Sequence, residues 1–219
     1  MYVARAMREK TIGTEKIKPV LLKVAGYFVF LIQSVPVWTG LMTLPFAVHL
    51  VMIFTNLSIN LPVALSEFFS PFLIPEKTFI LIGLLIIIYS VIHLQISKRK
   101  GLVNSGPYRL VRHPQYLGMI ITTLGFSSWS IWWLKNTFDI GFLNPFQTIG
   151  LWFIELFAYI LLANIEEHYL IGKYGESFEN YKIQAPFFIP FLKTENKFHD
   201  VLISVIVPAI LLFGLIRFS

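Results

Sequence analysis

Long apolar stretches separated by short polar segments dominate this 219-residue chain. A helix needs about 20 mostly apolar residues to cross a bilayer. Five stretches are close to that length or longer, over residues 20–54, 78–96, 116–134, 146–165 and 201–216. Only 14% of the residues are charged, against about a quarter in soluble domains, which excludes a soluble globular enzyme. We therefore predict an all-α fold: an integral, multi-pass membrane helical bundle with about five transmembrane helices.

Basic residues predict the orientation of the bundle. Three segments, 1–23, 97–113 and 166–200, hold 15 of the 18 Lys and Arg residues. Cytoplasmic loops are enriched in these residues, so we expect all three segments, and any site they form, to face the cytoplasm. Residues 20–54 must then cross the membrane an odd number of times, and five crossings are the simplest solution. A hairpin at 20–54 is the alternative.

The whole chain, 1–219, is expected to form a single membrane domain. Within it we distinguish an N-terminal region with the first span or spans (1–77), a core (78–192) and a C-terminal span (193–219). The chain has no cysteine, which excludes disulfides and thiol nucleophiles. Its five histidines are scattered, so no metal site is indicated. No nucleic-acid partner is expected either, because that would need a basic face on a water-soluble surface.

One polar segment combines Gly, Pro, aromatic and basic residues, and we call it the basic block. It runs from Gly101 to Gly118 and reads GLVNSGPYRLVRHPQYLG. Pro114 suits the first turn of the next helix, which places His113 at the helix cap. Backbone N–H groups at a helix start, with Arg112 and His113 beside them, favour a carboxylate or phosphate. The alternative is a basic loop that only determines topology.

Acidic residues mark the fourth predicted span. Glu166 and Glu167, which we call the acidic pair, lie where this span leaves the membrane, and a carboxylate there needs a partner. The basic block or a cationic ligand can provide it, although an ordinary solvated helix end is the alternative. Glu155 precedes Glu166 by 11 residues, about three helical turns, so both share one face. We interpret that face as the lining of a pocket that extends from the cytoplasmic boundary into the membrane. A structural hydrogen bond or snorkelling of Glu155 is the alternative.

Both blocks together resemble the signature of integral-membrane methyltransferases that use S-adenosylmethionine. This group includes isoprenylcysteine carboxyl methyltransferases and phospholipid N-methyltransferases. The first block matches over 102–118, and the second consists of Glu166-Glu167, Leu170, Tyr174-Gly175, Phe178, Tyr181-Lys182 and Pro186. The resemblance covers about residues 78–192. It implies S-adenosyl-L-methionine as cofactor, bound at the cytoplasmic membrane boundary, and a lipophilic methyl acceptor that enters from the lipid bilayer.

The resemblance also implies a set of site residues. Cofactor contacts are expected at His93, Lys100, Gly101, Leu102, Val103, Tyr108, His113, Pro114, Gln115, Tyr116 and Glu166. The acidic pair can meet the positive groups of the cofactor, and Arg112, His113 or backbone N–H groups can meet its carboxylate. Glu167 and Glu155 are the candidate catalytic bases for an amine or thiol acceptor.

Two positions depart from the family pattern. Lys100 stands where family members often have His, and Leu162 stands where prenylcysteine methyltransferases carry an Arg that engages the substrate carboxylate. An apolar side chain cannot pair with a carboxylate. The acceptor therefore stays open among a prenylcysteine carboxylate, a lipid amine and similar groups.

Two other function classes remain. An NADPH-dependent membrane reductase of the sterol or steroid type resembles the C-terminal half of this chain. Its site must hold phosphates, however, and the acidic pair Glu166-Glu167 would repel them. A non-enzymatic scaffold or transporter would leave both polar blocks without a role. Cofactor binding discriminates among the three classes.

Overall fold

The computed structural model describes residues 37–57, 61–69, 71, 74–137, 141–194 and 196–218. In these ranges the regular secondary structure is helical. The α-helices are α1 (Val37–Leu57), α2 (Leu61–Phe69), α3 (Ile74–Ser97), α4 (Pro107–Leu110), α5 (Pro114–Asn136), α6 (Pro145–Tyr174), α7 (Glu176–Gln184) and α8 (Lys197–Phe218), and a 3-10 turn covers Lys98–Lys100. The chain divides into two compact units, 1–44 and 45–219; every contact described below lies within the second.

Among the described helices, α1, α3, α5, α6 and α8 are long and apolar enough to cross a membrane, by length and composition. The prediction of about five transmembrane helices in an all-α fold is thereby confirmed, and the protein is an integral, multi-pass membrane protein. Each of the last four helices extends past its predicted apolar stretch, most of all α6, which continues through the acidic pair to Tyr174. The part of the first stretch over 20–36 lies outside the described residues.

Helix α5 occupies the centre of the bundle. Its span is 83% buried inside the protein, against 17% for α3 and α8. Helix α3 packs along α5 at a seam of small residues. A Cβ atom added to Gly125 would lie 2.6 Å from the carbonyl oxygen of Glu76, and one added to Gly118 would lie 2.9 Å from that of Gly83. The two backbones therefore touch directly, as small residues permit in membrane helices.

Polar side chains connect α1 to α5 and α6 inside the bundle. His49 Nδ1 lies 2.8 Å from Glu155 Oε2, and His49 Nε2 lies 2.9 Å from Ser127 Oγ. One turn earlier, the Phe46 N–H donates to the Tyr159 hydroxyl at 3.1 Å. Buried polar groups are costly in a bilayer unless they pair, so these contacts determine which faces of the three helices meet.

Candidate active site

The basic block turns sharply before α5 begins. Pro114 occupies the first turn of α5 and His113 is the N-cap residue, which confirms the position predicted from Pro114. The preceding Arg112 N–H donates to the carbonyl oxygen of Pro186 at 2.8 Å. This bond attaches Arg112 to the chain that follows α7. Arg112 and His113 thereby lie beside the last part of α6, and Arg112 also lies beside the first turn of α8.

Arg112 joins three helices through its guanidinium group. Its Nε lies 2.8 Å from Glu167 Oε1 and its Nη2 lies 3.0 Å from Asp200 Oδ2, while Nη1 donates to the Lys182 carbonyl oxygen at 3.1 Å. The side chains of Arg112, Glu167 and Asp200 are only 6%, 5% and 10% exposed. Lys182 Nζ also lies 3.8 Å from Glu167 Oε2. Glu167 is thus held by a buried network from α6, α7 and α8.

His113 lies between the two members of the acidic pair. Its Nδ1 is 3.3 Å from Glu166 Oε2 and its Nε2 is 3.4 Å from Glu167 Oε1. Burial by itself would lower the pKa of His113, but the contacts with both glutamates outweigh it and raise the pKa. Only the protonated ring presents N–H donors at both nitrogens, so this geometry favours an imidazolium ion.

The two acids of the pair have different surroundings. Successive residues on an α-helix lie about 100° apart, so Glu166 and Glu167 point in different directions. The Glu166 side chain is 19% exposed and that of Glu167 is 5% exposed. Among the ion pairs between described residues, Glu166 has His113 as its partner, whereas Glu167 has Arg112, His113 and Lys182. Glu166 therefore keeps acceptor capacity for a further cationic group.

Stacked rings line the buried side of His113. The ring of Tyr116 stacks on it at a centroid distance of 5.6 Å, and Tyr159 stacks on Tyr116 at 5.1 Å. Phe187 and Phe188 contact the His113 ring edge-on, at 5.4 and 5.9 Å. The imidazolium is thereby shielded from water on the sides that do not face the acids, which strengthens its attraction to them.

A second aromatic cluster forms around Tyr108. Tyr181 donates from its hydroxyl to the Tyr108 carbonyl oxygen at 2.6 Å, and the Tyr108 hydroxyl donates to Gln115 Oε1. Burial raises the pKa of both tyrosines, so their hydroxyls stay protonated and act as donors. The His93 ring stacks on Tyr108 at 6.4 Å, and Leu102 and Val103 pack against the same cluster.

Glycine permits the loop that leads into this cluster. Gly101 and Gly106 have φ of 111° and 59°, a region that residues with a Cβ rarely adopt. A Cβ on Gly106 would also lie 2.7 Å from the ring of His93. Backbone conformation thus requires glycine at both positions, and the close approach of His93 adds a second reason at Gly106.

Most of the predicted site residues come together at one end of the bundle. His93, Leu102, Val103, Tyr108 and Gln115 belong to the Tyr108 cluster, and Arg112, His113, Tyr116, Glu166 and Glu167 to the ionic one. Gly101 and Pro114 shape the backbone between them. The side chain of Lys100 lies outside the described part of the chain.

Glu155 lies apart from this end. It shares a face of α6 with Tyr159 and Leu162, which are both buried. Its 11-residue separation from Glu166 corresponds to about 16 Å along the helix, and its partner is His49.

Sequence reasoning missed Asp200, Phe187 and Phe188 as members of the site. In sequence, Asp200 is an acid just before an apolar span, and no neighbouring residue identifies Arg112 as its partner. The pairing is 88 residues apart in the chain, so it depends on the packing of α8 against α5.

Residues 80–134 match the isoprenylcysteine carboxyl methyltransferase (ICMT) family. The ICMT match includes most of α3, the whole basic block and nearly all of α5, so the resemblance predicted from the motifs is confirmed there. The acidic pair lies beyond the matched range. Searches of curated proteins and of solved structures returned no match. The ICMT match supports a membrane methyltransferase.

Proposed function

We propose that this protein transfers a methyl group from S-adenosyl-L-methionine to a lipophilic acceptor at the cytoplasmic boundary of the membrane. The observation that supports it most directly is the meeting of the two motifs in space. His113, inside the ICMT match, contacts Glu167, 54 residues later, in one buried cluster. A basic loop that only determines topology does not need to pack inside the bundle.

The residues present fit this cofactor. Its ammonium and sulfonium groups are positive, and Glu166 is a partly exposed carboxylate with capacity for another partner. Its adenosine needs apolar and aromatic surfaces, which His93, Tyr108 and Leu102 offer together. All three guanidinium nitrogens of Arg112 already have partners, so we assign Arg112 to positioning Glu167.

When bound, the cofactor supplies an electrophilic methyl group, so the protein needs no side-chain nucleophile. What these residues contribute is orientation and exclusion of water. His113 holds Glu166 toward the cofactor, and the aromatic rings around His113 keep water from this contact. For an amine or thiol acceptor a base must take up one proton. Glu167 lies in the site and is the proposed base, and Glu155 would serve only an acceptor that reaches deep into the bundle.

Calorimetric titration of the detergent-purified protein tests the proposal. We expect saturable binding of S-adenosylmethionine and S-adenosylhomocysteine, and none of NADPH. Glu166→Gln should weaken binding about 10- to 100-fold, the usual effect of losing a hydrogen bond to a charged group. Glu176→Gln makes the same chemical change at an exposed position of α7 and should leave binding unchanged.

Three results would contradict the proposal. Binding of NADPH alone would reassign the protein to the reductases. Absence of binding by protein with an intact circular-dichroism spectrum would favour a scaffold or transporter. Equal affinities for the Glu166→Gln and Glu176→Gln variants would remove Glu166 from the site.

A further inference from the structure

A cavity of about 380 Å³ lies between α7, residues 193–194 and the first turn of α8. It shares Arg112, Glu167, Lys182 and Asp200 with the ionic network described above, but Tyr108, His113 and Glu166 do not line it. A ligand in the cavity would therefore contact this network without contacting Tyr108, His113 or Glu166. This volume falls within the range of small-ligand pockets, about 300–1,000 Å³.

Some charged side chains that line this cavity have ion-pair partners, and others have none among the described residues. Its carboxylates are already paired, since Glu167 and Asp200 contact Arg112, and Glu179 lies 3.9 Å from Lys182. The lining residues Lys193 and Lys197 form no ion pair with any residue that the structure describes.

The rim of the cavity lies at the level where a membrane helix begins. Lys197 is the first residue of α8, a candidate membrane span. Phe191 and Phe198, on either side of the two lysines in sequence, are 89% and 67% exposed. Lysines at the end of a span are typical of the membrane–water interface, and the two exposed phenyl rings beside them are apolar. The cavity is therefore at the depth of lipid headgroups, with apolar side chains beside it that can contact acyl chains.

We propose that this cavity binds the phosphate of an anionic phospholipid headgroup, with Lys193 and Lys197 as its cationic contacts. Basic pockets between membrane helices bind such headgroups. Free phosphate has the same charge chemistry, but it would gain nothing from Phe191 and Phe198. Because Asp200 and Arg112 line the same cavity, a bound headgroup would lie directly against the network that holds Glu167.

The test uses the full chain in nanodiscs that contain phosphatidylcholine with increasing fractions of phosphatidylglycerol. Native mass spectrometry measures how much phosphatidylglycerol the released protein retains. An anionic surface favours each lysine near it about fivefold, so the double variant Lys193→Gln/Lys197→Gln should need about 25 times more phosphatidylglycerol for equal retention. The variant Lys98→Gln/Arg99→Gln removes the same charge from exposed positions in another segment and is the matched control.

Each outcome decides the proposal. Selective loss in the Lys193/Lys197 variant, with an unchanged circular-dichroism spectrum, supports it. An equal loss in the Lys98/Arg99 variant would reduce the effect to net charge and overturn it. Equal retention of phosphatidylcholine and phosphatidylglycerol by the unmodified protein would also overturn it. If millimolar inorganic phosphate saturated the cavity without displacing any lipid, the site would be assigned to a free anion instead.

Discussion

Removing the guanidinium group of Arg112 should destabilise the whole end of the bundle. In the Arg112→Gln variant the carboxylates of Glu167 and Asp200 lose their closest cation, which lies 2.8 and 3.0 Å away in the structure. Breaking a buried pair by removing one partner costs about 3–5 kcal/mol. Lys182 and His113 still contact Glu167 in the variant, so we expect the lower end, about 3 kcal/mol. This corresponds to about two orders of magnitude in the folding equilibrium constant.

The free energy of unfolding can be measured by titration with sodium dodecyl sulfate in mixed micelles, followed by circular dichroism. Arg109→Gln is the matched control, because Arg109 belongs to the same basic block but is exposed. We expect this control to change stability by no more than about 0.5 kcal/mol. The measurement therefore compares two identical substitutions, three residues apart, that differ in burial and in ion pairing.

A double-mutant cycle with Glu167→Gln separates the ion pair from other effects of the substitution. Residues in one ionic network show coupling of about 0.5–3 kcal/mol, so the double variant should be more stable than the sum of the single losses predicts. Additive losses would show that Arg112 and Glu167 do not depend on each other. An Arg112→Gln variant as stable as Arg109→Gln would refute the description of the network as a whole.

Two further predictions concern helix packing and pH. Gly125→Ala should lower the free energy of unfolding by about 1–3 kcal/mol, because the added Cβ would lie 2.6 Å from a backbone oxygen of α3. Gly150→Ala has nothing within 4 Å of its Cβ and should be neutral or stabilising by up to about 1 kcal/mol. Thermal unfolding of the two variants compares these effects. Because the pKa of His113 is raised in the folded protein, protonation of its ring stabilises the fold. This stabilisation is fully present below the unfolded-state pKa of about 6.5 and is lost as pH rises through the folded-state pKa. Unfolding titrations of the unmodified protein and His113→Gln should therefore converge as pH rises above about 6.5, and a difference in stability that does not shrink would contradict this.

The membrane spans and the corner at His113 could be predicted because their signals are local. An apolar run of sufficient length specifies a membrane helix without reference to any other part of the chain. Pro114 specifies a helix start because its missing N–H is harmless only in the first turn. Both features depend on residues that are neighbours in sequence, and the structure confirms both.

The partners of the buried polar groups could not be predicted, because packing selects them. Periodicity indicates that Glu155 faces the protein interior, but it does not say which helix lies opposite. The structure supplies His49, which is more than 100 residues earlier in the chain. Asp200 is a similar case, since its pairing with Arg112 requires α8 to lie beside the basic block.

The acidic pair shows how two adjacent, chemically similar residues acquire different tasks. A turn of about 100° per residue directs Glu167 into the network of Arg112 and Lys182, and leaves Glu166 against His113 with part of its carboxylate exposed. A substitution at Glu167 should therefore act first on stability, because it removes one of the two carboxylates that pair with the buried Arg112. A substitution at Glu166 should act first on ligand binding, because its carboxylate is the one with room for a further cation. Measuring unfolding and cofactor affinity in Glu166→Gln and Glu167→Gln would separate the two tasks, and identical profiles for the two variants would contradict this division.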